Sequence, residues 1–478
     1  MNASRRLLAA SVISGLCLGQ ALAQGAATPA TTTAPATTTS APAASTTGAP
    51  SSVSSASSKT PAIDQKRRDI ILYGIDSELI DLFGNLASEK NSAYNDDTKA
   101  VFERTKNPKL LGAILELWSS LDWKGGEKDA ADLVGNRDNQ DARVVASALA
   151  YLGKIKSKAG LTYAKAMLDE NDTTIIPSLI GMMGKVGGEP EEDILLSWLK
   201  GDTIQEAFRE AAIQALGDMG AKKSVDWLST LLKDSGAQRY ERVLAATSLG
   251  KIAMPSSLDT LIKAAQGDDT LVQASAIAAI GNLDGAAADS ALIEALRDSY
   301  PQSRIAACKA IAQKKLAIAL PNLEYKATND PDKGVKTEAV KSIAALGKKD
   351  GFAFLVKMMN DDSASPEMRR LAFGLLMRKD ASSSMDALLA RLGTEAKSAD
   401  RSLYTVFVRE IASAADAADA APLAKILLGD KDYLIRLGGL QWAQGTKSPA
   451  IEAEVAALAM ADPNEAVKKL AAHVLSLY

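Results

Sequence analysis

The chain has 478 residues, 47% of them hydrophobic but only 5% aromatic, with 55 Lys and Arg against 58 Asp and Glu. Apolar mass of this kind is mostly Ala, Leu, Ile and Val, and it favours helices, because Ala is the best helix former while strands draw on β-branched and aromatic side chains. The mildly acidic balance argues against nucleic acid as the main partner, since phosphate binding needs a concentrated basic surface.

The first residues read as a secretory signal. Arg5 and Arg6 give a positive start, Leu7 to Leu18 is apolar, and Ala21-Leu22-Ala23 supplies the small residues for cleavage after Ala23. A signal peptide at 1–23 predicts an exported protein, periplasmic or at the cell surface. Its removal takes away two arginines and leaves 53 basic against 58 acidic residues, a net of about −5. A lipid anchor at Cys17 is the minor alternative, because Leu16 and Ser14 make a poor lipobox. Ser4-Arg5-Arg6-Leu7-Leu8 weakly resembles a twin-arginine signal and departs from that pattern at Ala9. After the signal no run of some 18 apolar residues recurs, so no membrane-spanning segment is expected. Without Cys17 the lone cysteine is Cys308, and no intramolecular disulfide can form.

Residues 24–62 are almost entirely Ala, Thr, Ser, Pro and Gly, with Lys59 the one charged side chain. Such a stretch has too little large apolar surface to offset its chain entropy and is expected to be a disordered linker, with O-glycosylation left open. Residues 63–140 contain helical runs at Ile70 to Phe83, Lys99 to Arg104 and Leu110 to Leu121 that match the later period poorly. They are taken as an N-terminal cap with degenerate repeats, Trp118 standing 34 residues before the first regular anchor.

From 141 to 478 the chain repeats itself. An apolar residue followed by a small one closes a helical pattern at Leu152-Gly153, Met183-Gly184, Leu216-Gly217, Leu249-Gly250, Ile280-Gly281, Ile311-Ala312, Leu346-Gly347, Leu376-Met377, Ile411-Ala412, Trp442-Ala443 and Leu475-Ser476, at steps of 30 to 35 residues. Four residues before the anchor, Ala recurs at 148, 212, 245, 276, 307, 372 and 471, one turn away on the same face. Seven before it stand Arg209, Arg242, Arg304, Arg369 and Lys468, whose stems are expected to cover the seam while the charge stays in water. A polar break and a second helical run follow each anchor, as at Val225 to Leu232, Leu258 to Ala265 and Pro422 to Leu428. Each second run ends near an aspartate, such as Asp234, Asp268, Asp298, Asp330, Asp361, Asp430 or Asp462, read as a cap for the next helix. One helix pair cannot bury its apolar face alone, so the units must stack. The predicted fold is an all-α, right-handed α-solenoid of about eleven helix pairs, preceded by the signal peptide and the disordered linker.

The run Arg209-Glu-Ala-Ala212-Ile-Gln-Ala215-Leu216-Gly217, echoed at Arg242 to Gly250 and Arg304 to Ala312, resembles the short bacterial HEAT-like repeat, the variety also seen in phycobilisome-lyase-type proteins. That resemblance implies that the second helices line the concave side, with their outward positions as the binding surface.

A search for chemistry agrees. His473 is the single histidine, at an offset that faces solvent and so reads as a surface residue rather than a catalytic one; a His/Cys metal site lacks its ligands, and no cofactor is expected. Cys308 sits at a buried offset. Asp361-Asp362, Asp268-Asp269 and Glu191-Glu192-Asp193 fall at repeat boundaries and read as caps, and the glycines of Gly181 to Gly188 read as a helix break. Tyr163 and Trp227 both stand eleven residues after their anchors and are the candidate partner-binding residues, with core packing the bland alternative. The functional reading is a non-catalytic exported scaffold that binds protein partners. The alternative is a ligand-binding or enzyme-accessory module of the cell envelope.

Overall fold

The structure, a computed structural model, describes residues 59–201 and 204–478; the predicted signal peptide 1–23, Cys17 and residues 24–58 of the predicted linker lie outside the described residues. Helix α1 (Lys59–Tyr73) begins inside the stretch 24–62 that composition assigned to the linker. Thirteen helices then form one row: α2 (Asp76–Glu89), α4 (Pro108–Ser120), α6 (Ala142–Lys154), α8 (Ile176–Val186), α10 (Glu206–Asp218), α12 (Arg239–Ile252), α14 (Thr270–Ile280), α16 (Pro301–Lys314), α18 (Lys333–Leu346), α20 (Pro366–Lys379), α22 (Ser402–Ala412), α24 (Tyr433–Thr446) and α26 (Glu465–Leu475). Twelve alternate with them: α3 (Asn95–Arg104), α5 (Glu127–Gly135), α7 (Ala164–Glu170), α9 (Glu189–Leu199), α11 (Val225–Lys233), α13 (Leu258–Ala265), α15 (Ala286–Ala295), α17 (Leu320–Asn329), α19 (Lys349–Asn360), α21 (Ala381–Lys397), α23 (Ala421–Leu428) and α25 (Glu452–Ala461). No strand occurs among the described residues. This is the predicted all-α solenoid, and its eleven anchors are the helices from α6 to α26.

Upstream, α2 and α4 continue the same row, since α2 packs on α4 and α4 on α6 as the later members do. The N-terminal segment is therefore ladder, with fully buried Trp118 of α4 filling the place of an anchor.

Small residues set the spacing of the row. A side chain added at Gly153, Gly184, Gly217 or Gly250 would put its Cβ 3.2, 3.1, 2.7 and 2.7 Å from the Cα of Met182, Ala215, Ser248 and Ala279 on the next helix. Backbone touches backbone there, which only Gly permits. Gly181 and Gly184 thus lie within α8, and the expected break comes only at Gly187, where the helix ends. The alanines four residues before the anchors are fully buried at the same seam. Anchor helices pack directly on one another along the whole row, whereas successive second helices meet sparsely. A double row with one side close-packed bends towards that side. The anchor helices therefore line the inner face, and the expectation that the second helices do so is corrected.

Two further sequence readings change. In α18 the anchor is Ile343-Ala344 rather than Leu346-Gly347, because Ser342 Oγ donates to Cys308 O at 2.9 Å as Ser248 Oγ donates to Ile213 O at 2.9 Å. Gly347 instead ends the helix with φ 65°. Ala339 then takes the place four before the anchor and Lys336 the place seven before it. The aspartates at the ends of second helices are not the caps of the next helix. Asp332, Asp432 and Asn464, two residues further on, cap α18, α24 and α26. Asp330, Asp430 and Asp462 accept the N–H of those capping residues at 3.0, 2.9 and 2.8 Å and so fold the loop.

Two of these aspartates, Asp330 and Asp462, hold arginines at or beside the ladder position, and the charges of Arg304, Arg369 and Arg436 do not stay in water. Arg304 is 5% exposed; its Nε and Nη2 donate to the two oxygens of buried Asp330 at 2.9 and 2.7 Å, and its Nη1 donates to Asp298 O and Ser299 O. Arg436 grips Asp462 in the same way at 2.6 and 2.8 Å. Arg369 reaches Glu395 at 3.4 Å, and the Tyr404 hydroxyl donates to Asp430 at 2.8 Å. Each acceptor lies 26 residues after its donor. The guanidinium is drawn in because a fork of donors facing a carboxylate and two carbonyls offsets its desolvation, which a hydrated head over the seam does not need.

Candidate partner-binding surface

Most of the inner face is ordinary solvated helix. His473 is exposed there, as its offset predicts. Cys308 is fully buried, and desolvation pushes its thiol up to about 12, which leaves a packing role. Of the acidic clusters, Glu191 does cap, accepting Gly188 N–H at 2.8 Å. Glu192 does not: buried beside it, it accepts the N–H and hydroxyl of Ser224 at 2.6 and 2.8 Å, stapling one repeat to the next.

Tyr163 and Trp227 sit on different helix pairs, and no described contact joins them. Tyr163 ends the 3-10 turn Ala159–Tyr163 before α7 and is 37% exposed. Its ring lies 5.4 Å below the Arg137 guanidinium, whose Nε also donates to Glu170 at 3.1 Å. It is an open aromatic held in a defined pose. Trp227 of α11 is half-buried. It packs against both apolar clusters of the chain, one running from Ile71 to Ala221 and the other from Ile213 to Val474, and so joins them. The sequence offset is the same for both residues; the surroundings are not.

Sequence reasoning missed a second set of exposed apolar groups at the edge where the anchor helices begin. Tyr240, Leu271 and Tyr300 occupy that edge at α12, α14 and α16, and Tyr433 and Leu434 at α24, all at least 42% exposed. Their spacing along the chain carries the signal, one per repeat, but they precede the apolar stripe and were not part of it.

Two clefts open on the same edge, at two of the repeats where the buried Arg clamp is not made. In the first, of about 420 Å³, Arg242 donates only to Leu232 O at 3.2 Å, and Asp268, 26 residues on, lines the same cleft without bonding it. In the second, of about 550 Å³, Lys336 takes the clamp position. Asp362, 26 residues on, is engaged by Arg369 at 3.0 Å and Arg391 at 3.3 Å. Lys333, Lys336 and Lys357 line this cleft over a floor of Phe354 and Met358, and none of the three has an ion-pair partner among the described residues.

The family described as spirochaete HEAT repeat protein matches residues 71–474. The chain belongs to that family. No curated protein matches it in sequence. Among solved structures, the complex of CpcE and CpcF of phycocyanin lyase from Nostoc sp. PCC7120 is 19% identical over 54% of this chain and 94% of that one, with a TM-score of 0.30. A Kap121p mutant is 11% identical over 87% of this chain and 52% of that one, TM-score 0.42, and importin beta 12% identical over 88% and 67%, TM-score 0.41. This HEAT repeat chain spans about half the length of that Kap121p chain.

Proposed function

We propose that this HEAT repeat protein is a non-catalytic exported scaffold that binds segments of other proteins along its inner face and the adjoining loop edge. One observation carries the reading: the anchor row runs unbroken from α2 to α26. Thirteen helices at roughly 8–10 Å per step make a surface on the order of 100 Å long, suited to an extended polypeptide. The exposed aromatic and apolar residues at the loop edge supply anchors of the type that dominate protein interfaces. Export rests on the signal-like residues 1–23. No described helix is long and apolar enough to cross a membrane.

The test places a photo-crosslinking amino acid at Tyr163, Tyr240 or Leu271 in the full chain expressed in its own cells, followed by fractionation. Discrete protein adducts in the exported fraction are the expected result. Absence of adducts from all three positions, with a small molecule retained on the purified protein instead, refutes the scaffold in favour of a ligand-binding envelope module. Retention of the full-length chain in the cytoplasm refutes the export.

A further inference from the structure

We propose that the two open-clamp clefts receive acidic side chains of a bound polypeptide, a partner carboxylate taking the place that Asp330 and Asp462 fill in the closed repeats. The proposal rests on the scaffold reading and names the chemistry of the segment that is bound.

Arg304, seven residues before its anchor, and Arg436, six before Trp442, each meet a carboxylate 26 residues on and are buried by it. That carboxylate fills the space between the end of one second helix, the start of the next anchor helix and the following loop. Where the acid stands in the cleft without closing on the cation, as Asp268 does, or is diverted, as Asp362 is, the space remains as a cleft and the cation lines it. The correspondence extends along the walls. Leu232, Arg242, Lys263 and Ala264 of the first cleft match Ala327, Lys336, Lys357 and Met358 of the second, each from the same place on its helix.

The second cleft is the stronger site. Two acids share its lining: Asp361 accepts from the Ser363 hydroxyl and amide at 2.6 and 2.9 Å, which holds its carboxyl below the usual range, and Glu367 is exposed at the start of α20; Asp362, outside the lining, serves Arg369. Three lysines without ion pairs among the described residues share this lining with Asp361, Glu367 and the apolar Phe354 and Met358. A carboxylate on a short aliphatic stem, a Glu or Asp side chain, matches both parts. In the first cleft Arg242 offers a fork whose second face is unused, since only Nε is committed.

The two sites lie three anchor helices apart, α12 to α18. At roughly 8–10 Å per step that separation is about 24–30 Å, which an extended chain at about 3.3 Å per residue spans in roughly eight or nine residues. One segment with acids at both ends reaches both clefts, passing the exposed Leu271 and Tyr300 on the way.

The test measures binding of fluorescein-labelled deca-L-glutamate to the full-length protein by anisotropy at low and at moderate salt. Saturable 1:1 binding is expected, weakened roughly tenfold by Lys336→Ala and again by Arg242→Ala, as for loss of one charge-assisted hydrogen bond each. Tetra-L-glutamate should bind more weakly and respond to each substitution less. Lys341→Ala, on the exposed side of α18 and outside the cleft, should leave the affinity within about twofold. Unchanged melting temperatures for Lys336→Ala and Arg242→Ala keep folding out of the comparison. Absence of saturable binding, equal losses in Lys341→Ala and Lys336→Ala, or equally tight cleft-dependent binding of inorganic polyphosphate each overturns the proposal. If crosslinked protein adducts persist while deca-glutamate fails, this inference alone falls; if both are absent, the scaffold reading falls with it.

Discussion

Replacing Asp330 with Asn tests the buried clamp directly. The substitution keeps the shape of the side chain and removes its charge, leaving Arg304, 5% exposed, with two backbone carbonyls and no counter-ion. Removing one partner of a buried ion pair costs about 3–5 kcal/mol. In a solenoid that loss is local, because each repeat contacts only its neighbours, so it raises the opening of α16 to α18 roughly 10²–10⁴-fold. Native-state hydrogen exchange of amides in those helices, beside urea unfolding at pH 7, reads it. Burial alone would raise the Asp330 pKa, but bonds from Arg304, Asp332 N–H and Lys326 outweigh it and hold the carboxyl below its usual range. A carboxyl depressed on folding stabilises fully above its unfolded pKa of about 3.9 and loses that contribution as pH falls through the lower folded value. The gap between wild type and Asp330→Asn should therefore be full at pH 7 and narrow below about pH 4. Arg304→Met with Asp330→Leu should recover part of the loss, since Arg304 is no longer stranded while Lys326 and the Asp332 N–H still lose their acceptor. Equal exchange and equal urea midpoints for Asp330→Asn and wild type at pH 7 would refute the reasoning.

Glycine substitutions should divide by contact. Gly250→Ala, whose new Cβ would lie 2.7 Å from Ala279 Cα, should destabilise by about 1–3 kcal/mol, whereas Gly181→Ala, with nothing within 4 Å, should stabilise by about 0.5–1 kcal/mol, both by thermal unfolding. Trp227→Ala removes the residue packed on both apolar clusters and should cost about 2–4 kcal/mol, with earlier melting of the segment around α10 and α12 by hydrogen exchange; an unaltered stability with lost partner crosslinking would make Trp227 a contact residue instead. Cys308 should resist iodoacetamide in the folded protein and react fully in denaturant, because burial keeps its thiol protonated; rapid labelling at pH 7 without denaturant contradicts that placement.

Helix type, period and the buried alanine and cysteine offsets are already present in the sequence, because a 3.6-residue turn writes the apolar face of a helix into local spacing. The family pattern in Arg209 to Gly217 follows from the same local rule. Local spacing also misled at Leu346-Gly347, where a helix-ending glycine imitated the small residue that belongs at Ala344. What the tertiary structure alone decided are contacts between residues in different helices. The acid that buries Arg304 lies 26 residues away, across a second helix and a loop, so helical periodicity carries no trace of it. Whether Lys336 finds a partner depends on Asp362 having been taken by Arg369 and Arg391, a competition in three dimensions. The inner face was likewise fixed by how closely neighbouring backbones approach at Gly217 and Gly250, and that distance is set by packing across the seam rather than by the order of residues along one helix.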